Sequence, residues 1–167
     1  MRLNLRLSFY LLCSFIFSQC QEPSTHKQVQ EQKISFQKEG TLSIFNEENL
    51  ELATFNIEIA DNPYERQTGL MYRDNLAKEN GMLFIFESNQ IRNFYMKNTH
   101  IPLDLIFIDQ NFEILNLHAN ATPYDTQSIS SLFRVKYVFE ISGGLSNQIG
   151  IQKGMKIKYT PLWDWRI

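Results

Sequence analysis

The chain has 167 residues, 16 Lys and Arg against 18 Asp and Glu, a formal net charge of −2 and only two cysteines. A slightly acidic chain with no Lys/Arg run has no electrostatic footprint for nucleic acid or for anionic lipid. Its length suits one domain with a real hydrophobic core, and no internal repeat divides it.

The first stretch, MRLNLRLSFYLLCSFIFSQC, has a basic start at Arg2 and Arg6 and an apolar core from Leu7 to Phe17. That layout predicts a secretory signal over residues 1–19, too short for a comfortable membrane-spanning helix. Phe17-Ser18-Gln19-Cys20 resembles a bacterial lipoprotein cleavage box, so Cys20 is expected to carry the lipid and become the new N-terminus. Gln19 departs from the small residue usual before that cysteine, and ordinary secretion or an uncleaved anchor are the alternatives. Cleavage before Cys20 removes Cys13, which leaves no partner for an intrachain disulfide and no cysteine-ligated metal. Residues 20–40 then read as lipid anchor and tether, because QEPSTHKQVQEQKISFQKEG is too poor in apolar groups to fold alone. Residues 41–167 remain as the folded domain.

In TLSIF and NLELATFNIEIA, Leu42/Ile44, Leu50/Leu52 and Phe55/Ile57/Ile59 alternate with polar residues, the period of half-buried strands. The register slips between Leu52 and Phe55, which predicts a bulge near Ala53-Thr54. Asn62-Pro63-Tyr64-Glu65 predicts a helix start, with Asn62 as cap and Glu65 at the capping-box position. The helix is expected to reach about Tyr72; Gly69 inside it implies an early end or a close approach to the sheet. GMLFIF (81–86) is apolar on both faces and predicts a fully covered strand. RNFYM, LDLIFID and EILNLHAN follow as strands, the last two joined by a turn at Asp109-Gln110-Asn111-Phe112. VKYVFEI places Val135, Tyr137, Phe139 and Ile141 on one face; Ser142 can cap a short helix through Ile149, and GMKIKYT closes the set. Many short strands with one or two brief helices predict a mainly β, α+β fold: a compact antiparallel β sandwich or barrel-like domain. In the tail PLWDWRI, Trp163 and Trp165 predict either a last covering strand or an aromatic contact patch for a partner.

ERQTGLMYRDNL (65–76), GMLFIF (81–86), FYMKNTHIPLDLIFID (94–109), VFEI (138–141) and GIQKGMKI (150–157) together resemble the prokaryotic domain of unknown function 192 family, in order and spacing. The resemblance spans about residues 50–160. It implies a small mainly β domain with one helix, often exported or lipid-anchored, and no established reaction. Tyr95 stands where the family often has Trp.

Candidate chemistry concentrates in the middle of the chain. Asp104 shares a strand face with Ile106 and Ile108, so its carboxyl must be paired, hydrogen-bonded or protonated. Glu140 shares its face with Val138 and Lys136. Arg66 and Arg73 flank Gly69-Leu70-Met71, and Arg66 can hold a carboxylate through two parallel bonds. One reading assembles Arg66, Asn98, Thr99, Asp104 and Glu140 into a polar pocket for a small ligand. A catalytic variant of it uses Asp104 as acid or base with Arg66 and Asn98. Against both stands a structural reading, in which Asp104 pairs with Arg66 while Asn98 and Thr99 tie off the loop Lys97-Asn98-Thr99-His100. His26, His100 and His118 lack metal-site spacing, and Met71, Met82, Met96 and Met155 fall in apolar runs and read as core, so neither metal nor cofactor is expected. Ser142-Gly143-Gly144 suggests an anion-binding turn at a helix start, but a lone Gly-Gly next to a cap is commonly just a turn. The expectation is a non-enzymatic domain, lipid-anchored in the bacterial cell envelope, that binds a small ligand or an envelope protein.

Overall fold

The computed structural model describes residues 34–162. The expected signal, Cys20, the tether up to residue 33 and Trp163 and Trp165 lie outside the described residues.

The elements follow as β1 (Gly40–Phe45), β2 (Glu51–Ala60), α1 (Pro63–Thr68), β3 (Asn80–Gln90), β4 (Asn93–Phe94), β5 (Leu103–Ile108), β6 (Ile114–Ala121), β7 (Ile129–Ser130), β8 (Val135–Ser142), α2 (Leu145–Ile149) and β9 (Lys156–Pro161). Seven strands form one sheet in the order β6-β5-β8-β3-β2-β1-β9, and β4 pairs with β7 in a small second sheet. The β-rich α+β expectation holds, but the main sheet is mixed, since β2 and β3 run parallel. A parallel neighbour needs a crossover, and α1 with the segment after it provides one.

The sheet curls until its edges meet. Ile114 N–H donates to the Met155 carbonyl at 2.8 Å and Ile157 N–H to that of Phe112 at 2.9 Å. A single bridge, Glu113 with Lys156, joins the edge strands, so the barrel is not closed. The inner face buries Leu42, Ile44, Phe55, Ile57, Leu83, Ile106, Phe139 and Ile141. On the outer face, Met82, Phe84, Leu103, Leu105, Phe107 and Val138 pack under Leu70, Met96 and Phe94. Strands β3, β8 and β5 are therefore covered on both sides. This is the physical reason that GMLFIF and LDLIFI carry continuous apolar runs instead of alternation.

Three local expectations are corrected. Ile44 pairs with Ala53 and Phe45 with Glu51, so Leu52 is the extra residue of the bulge, one position before the predicted place. Helix α1 begins as predicted, with Glu65 N–H donating to Asn62 Oδ1 at 3.0 Å, but it ends at Thr68, four residues early. Gly69 adopts φ 48°, ψ −131°, and a Cβ there would lie 2.9 Å from the Phe84 ring, so both consequences foreseen for this glycine occur. Finally, Ser142 does not cap α2; its hydroxyl donates to the Leu76 carbonyl at 2.9 Å.

Candidate functional site

The early end of α1 leaves a cleft between the outer face of β3 and β8 and the layer formed by α1, β4 and their loops. Its volume is about 400 Å³. Phe84, Met96 and Leu103 form the apolar wall, Phe86, Arg66 and Arg92 stand at one end, and Thr99 and Glu140 also line it.

Glu140 is the anomaly of this cleft. On β8 it is in register with Met82 of β3 on one side and Leu105 of β5 on the other, both buried and apolar. Its side chain is 5% exposed and has neither a hydrogen bond nor an ion pair among the described residues. Removal from water disfavours the charged form, and this burial alone pushes its pKa from 4.5 up to about 8. At neutral pH the group is mostly a carboxylic acid, able both to donate and to accept a hydrogen bond.

At the Phe86 end, the guanidinium of Arg92 lies 4.0 Å and that of Arg66 5.7 Å from the ring centroid. Arg66 Nη1 donates to the Asp61 and Ile85 carbonyls. Its nearest carboxylate, Glu87, is 4.0 Å away and 91% exposed, which makes it a weak counter-ion. Arg92 donates to the Ser88 carbonyl at 2.6 Å, while its Nε is buried without a partner. Burial, and then the charge of Arg66, lower the pKa of Arg92.

Asp104 sits apart from this cleft, on the inner side of β5, with no exposed surface. Its Oδ1 accepts from Asn120 N–H at 2.6 Å and from Gly144 N–H at 2.7 Å, and its Oδ2 accepts from Ser146 N–H at 2.7 Å. Three main-chain donors from β6 and the start of α2 thus converge on one side chain. The Gly-Gly turn does bind an acid, the chain's own. Asp104 does not pair with Arg66; the buried ion pair is instead Arg73 with Glu58, at 2.7 Å, and it clamps the loop after α1 onto β2.

The polar loop 97–100 divides in two. Asn98, at φ 59°, donates from Nδ2 to the Tyr72 hydroxyl at 2.8 Å and accepts from Tyr72 N–H at 2.8 Å through its carbonyl. His100 stacks on Tyr124 and lies 3.3 Å from Asp74. These contacts stitch three loops together. Thr99 turns the other way, is 4% exposed and lines the cleft. Of the five candidate residues, Arg66, Thr99 and Glu140 meet at one cleft, whereas Asn98 and Asp104 are not among its lining residues. Arg92 and Phe86 were not singled out from sequence. The local signal for them is the interruption of the apolar β3 run by Glu87-Ser88-Asn89-Gln90 before Ile91-Arg92. Among the described residues no group of three or more His, Cys, Asp or Glu side chains converges as a metal site would require.

The sequence profile of the DUF192 family, described as "Uncharacterized ACR", matches residues 44–159. No curated protein matches the chain. Five solved chains resemble it, and two of them illustrate the likeness. One, from Sinorhizobium meliloti 1021 and described as a candidate transcription regulator, is 31% identical with a TM-score of 0.71, covering 76% of this chain and 97% of the other. The second, a protein of unknown function from Novosphingobium aromaticivorans DSM 12444, is 34% identical with a TM-score of 0.67, covering 71% of this chain and 83% of the other.

Proposed function

The chain belongs to the DUF192 family, and from that premise we propose that it is a non-enzymatic ligand-binding domain of the bacterial cell envelope. In this reading residues 1–19 direct export, Cys20 carries a lipid anchor, and a small molecule occupies the cleft above β3 and β8. What carries the proposal is Glu140, a carboxyl group with no partner, set among apolar side chains on the wall of a cleft of about 400 Å³. Burying such a group without a hydrogen bond costs about 1–3 kcal/mol, a cost a bound ligand would offset. The cleft size lies within the range of small-molecule sites.

The catalytic alternative of Asp104 with Arg66 and Asn98 has less support, because the three side chains stand in separate hydrogen-bond settings and both Asp104 oxygens already accept main-chain bonds. The regulator description belongs to the Sinorhizobium protein. A net charge of −2 with no basic run gives no support for extending it here as nucleic-acid binding.

Native mass spectrometry of the full chain after exposure to the small-molecule fraction of the host envelope tests the cleft. The expected result is a discrete extra mass, lost on denaturation and absent in Glu140→Leu; a bare mass in every condition would refute ligand binding. The anchor has its own test, since Cys20→Ala should abolish incorporation of radiolabelled palmitate.

A further inference from the structure

Two residues with unpartnered polar groups line the same cleft: Arg92, whose Nε is buried without a partner, and Glu140, whose carboxyl makes no hydrogen bond among the described residues; between them runs an apolar wall. Glu140 is level with Met82 on β3, and the ring that carries both arginines is Phe86, four residues further along the same strand. At about 3.3 Å per residue, these two ends stand about 13 Å apart. Arg66 and Arg92 share one aromatic ring, their like charges oppose each other, and their only carboxylate within ion-pair range among the described residues is solvent-exposed Glu87. An anion placed there gains two charge-assisted contacts and relieves that repulsion. A small inorganic ion satisfies the arginines but leaves the wall of Phe84, Phe94, Leu70 and Leu103 wet, and it does not reach Glu140.

We propose that the occupant is an amphipathic organic anion, with one carboxylate or phosphate held by Arg66 and Arg92 and an apolar body lying along Phe84 toward Glu140. This rests on the ligand-binding reading of the cleft. The far end of the molecule carries a group that can accept or donate a hydrogen bond, and it meets the carboxylic acid of Glu140. Carboxylate and phosphate share the recognition chemistry, and a matched series of probes separates them.

The experiment is isothermal titration calorimetry of the full chain carrying Cys20→Ser, so that no attached acyl group competes. The probes are octanoate, octyl phosphate, octanol, octylamine and inorganic phosphate. Octanoate or octyl phosphate should bind about tenfold or more tightly than octanol, with octylamine and inorganic phosphate weaker still. The better of the two anions identifies the head group. Arg66→Gln and Arg92→Gln should each weaken that anion about tenfold while leaving octanol unchanged, and Arg66→Lys and Arg92→Lys should restore part of the loss. Octanol or octylamine binding as tightly as the anions, with an affinity that changes in Glu140→Gln, would keep the cleft as a ligand site and overturn the anionic class. Inorganic phosphate matching octyl phosphate would overturn the amphipathic body. Silence from every probe would overturn both this inference and the reading beneath it.

Discussion

Replacing Glu140 by Gln removes a titratable group while preserving shape, so it isolates the energetic consequence of that buried carboxyl. In the unfolded chain the group titrates near 4.5, and in the folded protein near 8. The folded state therefore holds its proton more tightly. Stability from this group is fully present below pH 4.5, is lost progressively as pH rises from there to about 8, and then levels off. Integrating the difference in bound protons, wild type should lose about 3 kcal/mol relative to Glu140→Gln between pH 5 and pH 8. The assay is urea unfolding of both proteins at half-unit pH steps, plotted as the difference in unfolding free energy, which cancels titrations common to both. The two should be nearly equal at pH 5, with the variant clearly more stable at pH 8. A difference that stays flat with pH would refute the assignment, because it would mean that the carboxyl is solvated or paired in the folded protein.

Asp104→Ala deprives three main-chain N–H groups of their acceptor, that of Ser146 buried and those of Asn120 and Gly144 part-buried, and should cost about 3 kcal/mol or more in urea unfolding. A stable Asp104→Ala protein with altered ligand binding would contradict the anchoring role. Gly69→Ala must force a Cβ at φ 48° to within 2.9 Å of the Phe84 ring; it should lower stability by about 1–3 kcal/mol and shrink the cleft, read by melting temperature and probe affinity together. At Asn98, whose φ is 59°, Asn98→Gly should be less harmful than Asn98→Ala by about 1 kcal/mol. Equal unfolding midpoints for the two variants would show that backbone conformation is not what Asn98 contributes.

Much of the architecture was legible in the chain because it is written in local periodicity. Alternating Leu42/Ile44 and Phe55/Ile57/Ile59 marked β1 and β2, and Asn62-Pro63-Tyr64-Glu65 marked the start of α1. The doubly covered strands were equally plain, since a strand buried on both faces has no polar side to interrupt it. The carboxyl groups at Asp104 and Glu140 were also visible as misfits in apolar runs. What became of each misfit was decided only by the fold. Asp104 faces inward near the start of β5, where β6 and the start of α2 bring three N–H groups to it from 16, 40 and 42 residues away. Glu140 faces outward between Met82 and Leu105, where no donor arrives. Likewise Arg66, expected to meet Asp104, joins Arg92 on Phe86 because Gly69 ends the helix against Phe84. Strand and helix periods are set by neighbours a few residues apart, which sequence displays directly. Whether a buried polar group finds a partner depends on sheet order and register, which place residues distant in the chain beside one another.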